Sequence, residues 1–335
     1  MRFNPCVDIV IRALDDNALT MHGSEIVPGI YVVKTKFADE FGFISSYVIV
    51  DGDVAAIIDP GTAGDPGKDT LEFVRELGLN PKSDIATILC THGHPDHIGG
   101  AGILKKRTGA SIMIHEDDAE MLSTPASFIK SRLKLDLAGR MAMSIDRGPL
   151  RVNYHPVTPD GFLDHGDVVN IGETSIRVIH TGGHSAGHCV FYEKQRKVLF
   201  SGDEVNNFPN DPRKFYVDLS GSLALKRSAV EFLQRLDVEF LLPSHDVSHM
   251  LGEVSLQFKE VSDGVLNFQD NVLSHLTARG EADVGQLKFD IQQARSIPVP
   301  TDTYGLFTTT LEVCLRDLSR AGLVRCDEKG IWRPV

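Results

Sequence analysis

Paired cysteines, long apolar runs and an excess of positive charge are what this sequence does without. Its five cysteines (Cys6, Cys90, Cys189, Cys314, Cys326) are odd in number and form no Cys-x-x-Cys pair. Neither a disulfide framework nor a thiolate metal site is therefore expected, and reduced thiols in the core or at the surface are. No apolar stretch approaches the roughly 18 residues that a membrane-spanning helix needs. Tyr47–Val50 and Val54–Ile58 stop after a few residues and read as strands. The N-terminus lacks a basic start followed by an apolar run, and an acidic residue appears by Asp8. A secretory leader is not expected, and a soluble cytoplasmic protein is. Basic side chains number 34 against 46 acidic ones, a net charge of −12, which argues against long-range attraction to nucleic acid or to an anionic membrane. Repeats and low-complexity segments are also missing. What remains, 335 residues at 42% hydrophobic and 24% charged, is the composition of a globular protein large enough for one big domain or a big domain with a small one.

Strand signals come first. Ile30–Val33 and Ser46–Val50 are rich in β-branched and aromatic residues, with a polar, glycine-containing stretch between them. Val54–Ile58 ends at Asp59-Pro-Gly, Leu71–Leu77 has helical spacing, and Ile85–Leu89 is a wholly apolar run of the kind a buried strand shows. Gly102–Thr108 reads as a helix and Ser111–Ile114 as a strand; apolar spacing over 117–147 predicts two inserted helices. Strands return at 168–171, 175–180, 189–192 and 198–201, followed by an amphipathic helix over 223–236 and a last buried strand, Phe240–Pro243. This alternation predicts two mixed sheets with helices outside. From Gly252 the texture changes to three helices (254–276, 282–292, 308–321) and a small hairpin, the order of a winged-helix module, with 298–303 as a loop inside it. The predicted domains are 1–250 and 251–335.

The strongest chemical signal is His92-Gly-His94-Pro-Asp96-His97, three imidazoles and a carboxylate within six residues, placed after a strand. Imidazole and carboxylate are the donors that zinc, iron and manganese sites use. Three further strand ends carry a ligand-type residue: His184 in Thr181-Gly-Gly-His-Ser-Ala-Gly-His188, Asp203 in Ser201-Gly-Asp, and His245 in Leu242-Pro-Ser-His.

With those motifs, and with Asp59-Pro-Gly61 ahead of them, the sequence from Ile30 to His249 resembles the metallo-β-lactamase superfamily. The resemblance implies an α/β (α+β) chain folded as an αββα four-layer sandwich. It also implies a two-metal site: His92, His94 and His184 on one ion, Asp96, His97 and His245 on the other, and Asp203 bridging both. Asp59 would orient a ligand histidine, and Asp96 would also accept a proton. Two divalent ions, zinc before iron or manganese, would lower the pKa of a shared water and clamp the substrate oxygen, about 3.5–4 Å apart. The implied reaction is hydrolysis by a metal-bound hydroxide.

Departures from the pattern narrow the branch. Asp203 stands where the common zinc β-lactamases place a thiolate, and no tyrosine follows it closely, unlike the lactonases that cleave acyl-homoserine lactones. Phe41, Phe43, Phe128 and Met141 are placed to line an apolar pocket or, with slightly more weight, to pack the insertion onto the sheet. His188 and His180 read as structural, and His22, His115, His155, His165, His249 and His275 as surface or core residues. Asp246 reads as a loop cap. The C-terminal module resembles the winged helix of β-lactamase-like proteins 2, with Leu311, Leu315, Leu318 and Leu323 as its apolar face. It carries nine basic against twelve acidic side chains from 250 to 335, so nucleic acid is not its expected partner. Packing on the catalytic domain, shaping the cleft or forming a homodimer is. The favoured substrate is a small ester, thioester or lactone. The alternatives are a phosphodiesterase or endoribonuclease, and a non-catalytic metal-binding regulator.

Overall fold

A computed structural model describes residues 23–38, 42–62, 67–124, 127–128, 133, 156–205, 221–245, 250–251, 254–296 and 305–335. Most of the inserted segment, together with Phe41, Met141, Asp246, His22, His155, His249 and the 298–303 loop, lies outside the described residues.

The first sheet has seven strands in sequential order: β1 (Ser24–Val27), β2 (Ile30–Ala38), β3 (Gly42–Asp51), β4 (Val54–Ile58), β5 (Ile85–Leu89), β6 (Ser111–Ile114) and β7 (Gly161–Phe162). Hairpins make β1 to β4 antiparallel, and helical crossovers make β4 to β7 parallel. The polar, glycine-containing stretch between Ile30–Val33 and Ser46–Val50 belongs largely to the strands themselves. It extends both strands, which pair from Ile30 opposite Ile49 to Ala38 opposite Gly42. Backbone pairing carries both strands past the polar residues there.

The second sheet runs β13-β12-β11-β10-β9-β8, formed by β8 (Val168–Ile171), β9 (Thr174–His180), β10 (Cys189–Glu193), β11 (Val198–Gly202), β12 (Phe240–Pro243) and β13 (Met250–Leu251). Phe240–Pro243 is thus not the last strand, because β13 pairs antiparallel outside it. Successive residues of a strand face opposite ways. Ile57 and Ile88 therefore join one core while their neighbours Ile58 and Leu89 join another. The inner core interleaves Tyr47, Ile58 and Leu89 with Val178, Phe191 and Phe200 of the second sheet. Tyr47 and Phe200 meet edge to face at 5.2 Å, a contact worth about 1 kcal/mol beyond its area. Helices α1 (Gly67–Glu76), α3 (Ala101–Thr108) and the short α4 (Glu120–Ser123) cover the outer face of the first sheet, and α5 (Leu223–Leu233) covers that of the second. Four layers result, because both faces of both sheets are apolar.

Beyond β13 come α6 (Val254–Arg279), α7 (Val284–Ala294), α8 (Leu306–Arg320) and a hairpin of β14 (Val324–Cys326) and β15 (Trp332–Pro334). The first turns of α6 bury Val254, Phe258 and Val261 against α5 and the second sheet, and its later turns bury Val265, Phe268 and Val272 against α7 and α8. Leu311, Leu315 and Leu318 are buried as expected, but Leu323 is 46% exposed and Val324 takes the core position. The pairing of Val324 with Pro334 fixes which residue of that strand points inward. Among the described residues, Cys90, Cys189 and Cys314 are buried free thiols and Cys326 is exposed, and no helix is long and apolar enough to cross a membrane.

Candidate metal centre

Five of the singled-out side chains stand beyond the C-terminal ends of strands. Asp59 follows β4, His92 lies three residues beyond β5, His184 follows β9, Asp203 follows β11 and His245 follows β12. The two sheets are joined at this edge by the Ser45 N–H donating to the Ser244 carbonyl at 2.9 Å. The motif after β5 is not wholly a loop. Pro95–Ile98 forms a short helix, α2, with Pro95 at its start and His94 as its N-cap. Proline's fixed φ and missing N–H suit that first helical position. Helical winding turns Asp96 and His97 to different sides from His94.

Two clusters form, each with its donor atoms within 4.8 Å of one another: His92, His94, His184 and Asp203, and Asp96, His97 and His245. Asp203 stands between them, its Oδ2 3.5 Å from His184 Nε2, 3.6 Å from His97 Nε2 and 3.5 Å from His245 Nε2. Asp96 Oδ2 lies 3.2 Å from His245 Nε2, and His94 Nδ1 lies 3.2 Å from His184 Nε2.

Partners behind the rings set which nitrogen faces inward. Asp59 accepts from the Thr91 N–H and hydroxyl at 2.7 Å each, and from His97 Nδ1 at 2.9 Å. Its second carboxylate oxygen also accepts from Ser244 at 3.2 Å. With its hydroxyl proton given to Asp59, Thr91 takes a hydrogen bond from His92 Nδ1 at 2.9 Å. Both rings are therefore left with Nε2 toward the cluster. His188 is buried beside them without joining either group. Its Nε2 accepts from the Asp203 N–H at 3.1 Å and its Nδ1 lies 3.1 Å from Thr181 Oγ1. Glu204 accepts from Thr181 Oγ1 and from the His184 N–H at 3.0 Å each.

Electrostatics follow from burial. At His97 and His245 burial favours the neutral ring, yet the carboxylates of Asp203 and Asp96 outweigh it and raise both pKa values. Burial and then the adjacent His97 push His92 well below the imidazole range. Burial would raise Asp203 and Asp96, but the facing histidines pull both well below the carboxylate range. The buried atoms His92 Nε2, His97 Nε2 and Asp203 Oδ1 make no hydrogen bond among the described residues. Buried ring nitrogens and a carboxylate oxygen without hydrogen-bond partners, gathered beside Asp96 and Asp203, are what a divalent cation satisfies. The residues present fit such ions.

A family model described as the metallo-β-lactamase superfamily matches residues 39–245. The chain belongs to the metallo-β-lactamase superfamily. It is 26% identical over 226 residues to the human acyl-coenzyme A thioesterase MBLAC2, covering 65% of this chain and 78% of that one. A hydroxyacylglutathione hydrolase, GloC, of Haemophilus influenzae is 30% identical over 150 residues, 44% of this chain and 60% of its own. A metallo-β-lactamase family protein from Thermus thermophilus shares the fold at a TM-score of 0.71, with 19% identity over 93% of this chain and all of that one. The four-layer superfamily architecture is thus common ground, and hydrolases stand among the relatives that this chain resembles.

Sequence reading missed two contributors. Asp118 is 1% exposed and accepts from the Gly93 N–H at 2.9 Å, Ser185 Oγ at 2.6 Å and the Gly187 N–H at 3.1 Å. It ties the His92–His97 segment to the His184–His188 loop. Its place in the run Glu116-Asp-Asp118 reads as solvated charge, and nothing local distinguishes it. Glu204 was equally hidden, although its position directly after Asp203 was a signal. Phe128 is 5% exposed in the outer core of the first sheet, and its ring also meets His94 edge-on at 5.2 Å. His115 and His180 stack at 3.9 Å with 16° between ring planes, next to Asp117. Near-parallel rings do not aim two nitrogens at one point, so that trio is assigned no ion.

Proposed function

We propose that this metallo-β-lactamase superfamily member is a two-metal thioesterase acting on a small acyl-thioester. The observation that carries the reading is the pair of buried His/Asp clusters meeting at Asp203. His92, His94 and His184 would hold one ion and Asp96, His97 and His245 the other, with Asp203 shared. Zinc suits this donor set, as do iron and manganese. Such ions supply a Lewis-acid clamp for an acyl carbonyl and a water acidic enough to react near neutral pH.

The protein's own groups do the rest. Asp59 and Thr91 fix the ring directions of His97 and His92. Asp96, the most exposed carboxylate of the set at 13% against 8% for Asp203, is the group that would accept a hydrogen bond from the attacking water and orient it. Acyl–sulfur bonds are favoured among the ester, thioester and lactone options because two relatives are named for cleaving them. The C-terminal helices and hairpin follow the winged-helix order, and their acidic balance favours packing on the catalytic domain over nucleic acid. A cytoplasmic setting suits both the free thiols and a small-molecule substrate.

Metal content by elemental analysis, with turnover of an acyl-coenzyme A, an acyl-glutathione, a lactone and a bis-phosphodiester, tests the proposal. Near two ions per chain with thioester turnover supports it. Phosphodiester turnover alone assigns the nuclease function instead, and a chain that binds metal but turns over none of the four is a regulator.

A further inference from the structure

Among the described residues the C-terminal module contributes none to the metal centre, yet it reaches the centre through one helix end. Gly221 and Ser222, just before α5, lie against the His184 loop. The Ser222 N–H donates to the Gly183 carbonyl at 3.0 Å. A Cβ on Gly221 would stand 2.0 Å from that carbonyl oxygen and 2.6 Å from that of His184, so the two backbones touch with no side chain between them. A Cβ on Gly183 would in turn stand 2.5 Å from Lys226 Cα. One turn into α5, the fully buried Lys226 sends its ammonium 3.1 Å to the Asp203 carbonyl. The first turn of α5 thus sits on the backbone of two residues of the metal cluster.

That same turn is held from the other side. Leu223 is buried in the core of the module with Val265, Phe268, Phe307 and Leu311. Asp317, on α8 and 5% exposed, accepts through Oδ2 from Ser222 Oγ at 2.9 Å and from the Ala224 N–H at 3.1 Å. Its Oδ1 is 3.1 Å from Arg320. Ser222 caps α5 from within, its Oγ accepting from the Leu225 N–H at 3.2 Å. A carboxylate at a helix N-terminus is favoured by the exposed N–H groups and by the helix dipole. Here it comes from a different part of the fold and fixes where the helix starts.

We infer that Asp317 is a positioning residue for the metal centre: through Ser222 and the first turn of α5 it fixes the His184 loop and the Asp203 backbone. The inference rests on the metal-centre reading and assigns the C-terminal module a role in it. The test is zinc affinity of the full-length chain by competition with a chromophoric chelator. Partners that orient metal ligands typically change affinity by about 10–100-fold, and Asp317, one contact further out, is expected to fall at the low end. Asp317→Ala should weaken zinc binding about tenfold. Asp317→Asn, whose amide oxygen can accept the same two hydrogen bonds, should keep most of it. Asp283→Ala, which uncaps α7 in the same module, should lower folding stability and leave zinc affinity unchanged. If Asp317→Ala does not fold, Ser222→Ala removes the shared hydrogen bond from the other side and should weaken zinc in the same direction.

A wild-type chain that binds zinc alongside an Asp317→Ala variant (or its Ser222→Ala substitute) binding equally tightly overturns the inference and leaves the metal centre standing. An equal loss of affinity in Asp283→Ala also overturns it, since the effect would then be general loosening. A wild-type chain that binds no zinc, iron or manganese overturns both.

Discussion

Asp59 adopts a left-handed backbone conformation, φ 50°, which aspartate and asparagine tolerate better than most residues with a Cβ. It is held there because its carboxylate joins Thr91, His97 and Ser244, residues from both sheets. Asparagine keeps the backbone and loses the charge. Asp59→Asn should therefore fold normally and bind metal about 10–100-fold more weakly; unchanged affinity in chelator competition would remove Asp59 from the site. At the cluster itself, His94→Ala and Asp203→Ala should each lower kcat/KM about 10³-fold or more, several kcal/mol of transition-state stabilisation, with far-ultraviolet circular dichroism intact. Full turnover in either purified variant would show the site to be misassigned. Asp118→Ala is of another kind. It strands three donors, of which the buried ones are expected to cost 1–3 kcal/mol each before relaxation. Urea unfolding should report a loss of about 3 kcal/mol, and a loss below about 1 kcal/mol would mean that water replaces the carboxylate.

Elements obey rules of different reach. Strand β4 is apolar on both faces because helices cover one face and the second sheet the other, so its composition alone marks it as central. Helix α7 starts with a capping box, Asp283 accepting from the Gln286 N–H at 2.8 Å while the Gln286 side chain accepts from the Asp283 N–H at 3.0 Å. Asp283→Ala should cost about 1 kcal/mol of stability in denaturant unfolding, with no change in turnover. A loss of turnover would mean that α7 communicates with the cleft. The β14–β15 hairpin went differently. Leu323 and Val324 are adjacent and both apolar, and only the register against β15 decides which is buried.

At the scale of the molecule, α6 is shared by two cores, one centred on the second sheet and one on α7 and α8, so the C-terminal helices are packed into the fold rather than tethered to it. Ions bound in the folded state stabilise that state in proportion to RT ln(1 + [L]/Kd). With metal at a hundred times Kd, each site adds about 2.7 kcal/mol, and exhaustive chelation should lower the thermal midpoint accordingly. A midpoint unaffected by chelation and by metal restoration would count against ions held in the folded chain.

The sequence by itself marked most of the strands and singled out seven His and Asp residues of ligand type, because buried strands must be apolar and so dense a run of such residues seldom arises by chance. Tertiary structure alone decided that Asp118 joins two loops, that His97 and His94 point to different clusters through the turn of α2, and that Asp317 caps a helix 95 residues away in the chain. The reason is physical. Donor types and periodicity are local and can be counted along a sequence, whereas a hydrogen bond between distant segments depends on where packing brings them, and a lone aspartate carries no mark of the partner it will meet.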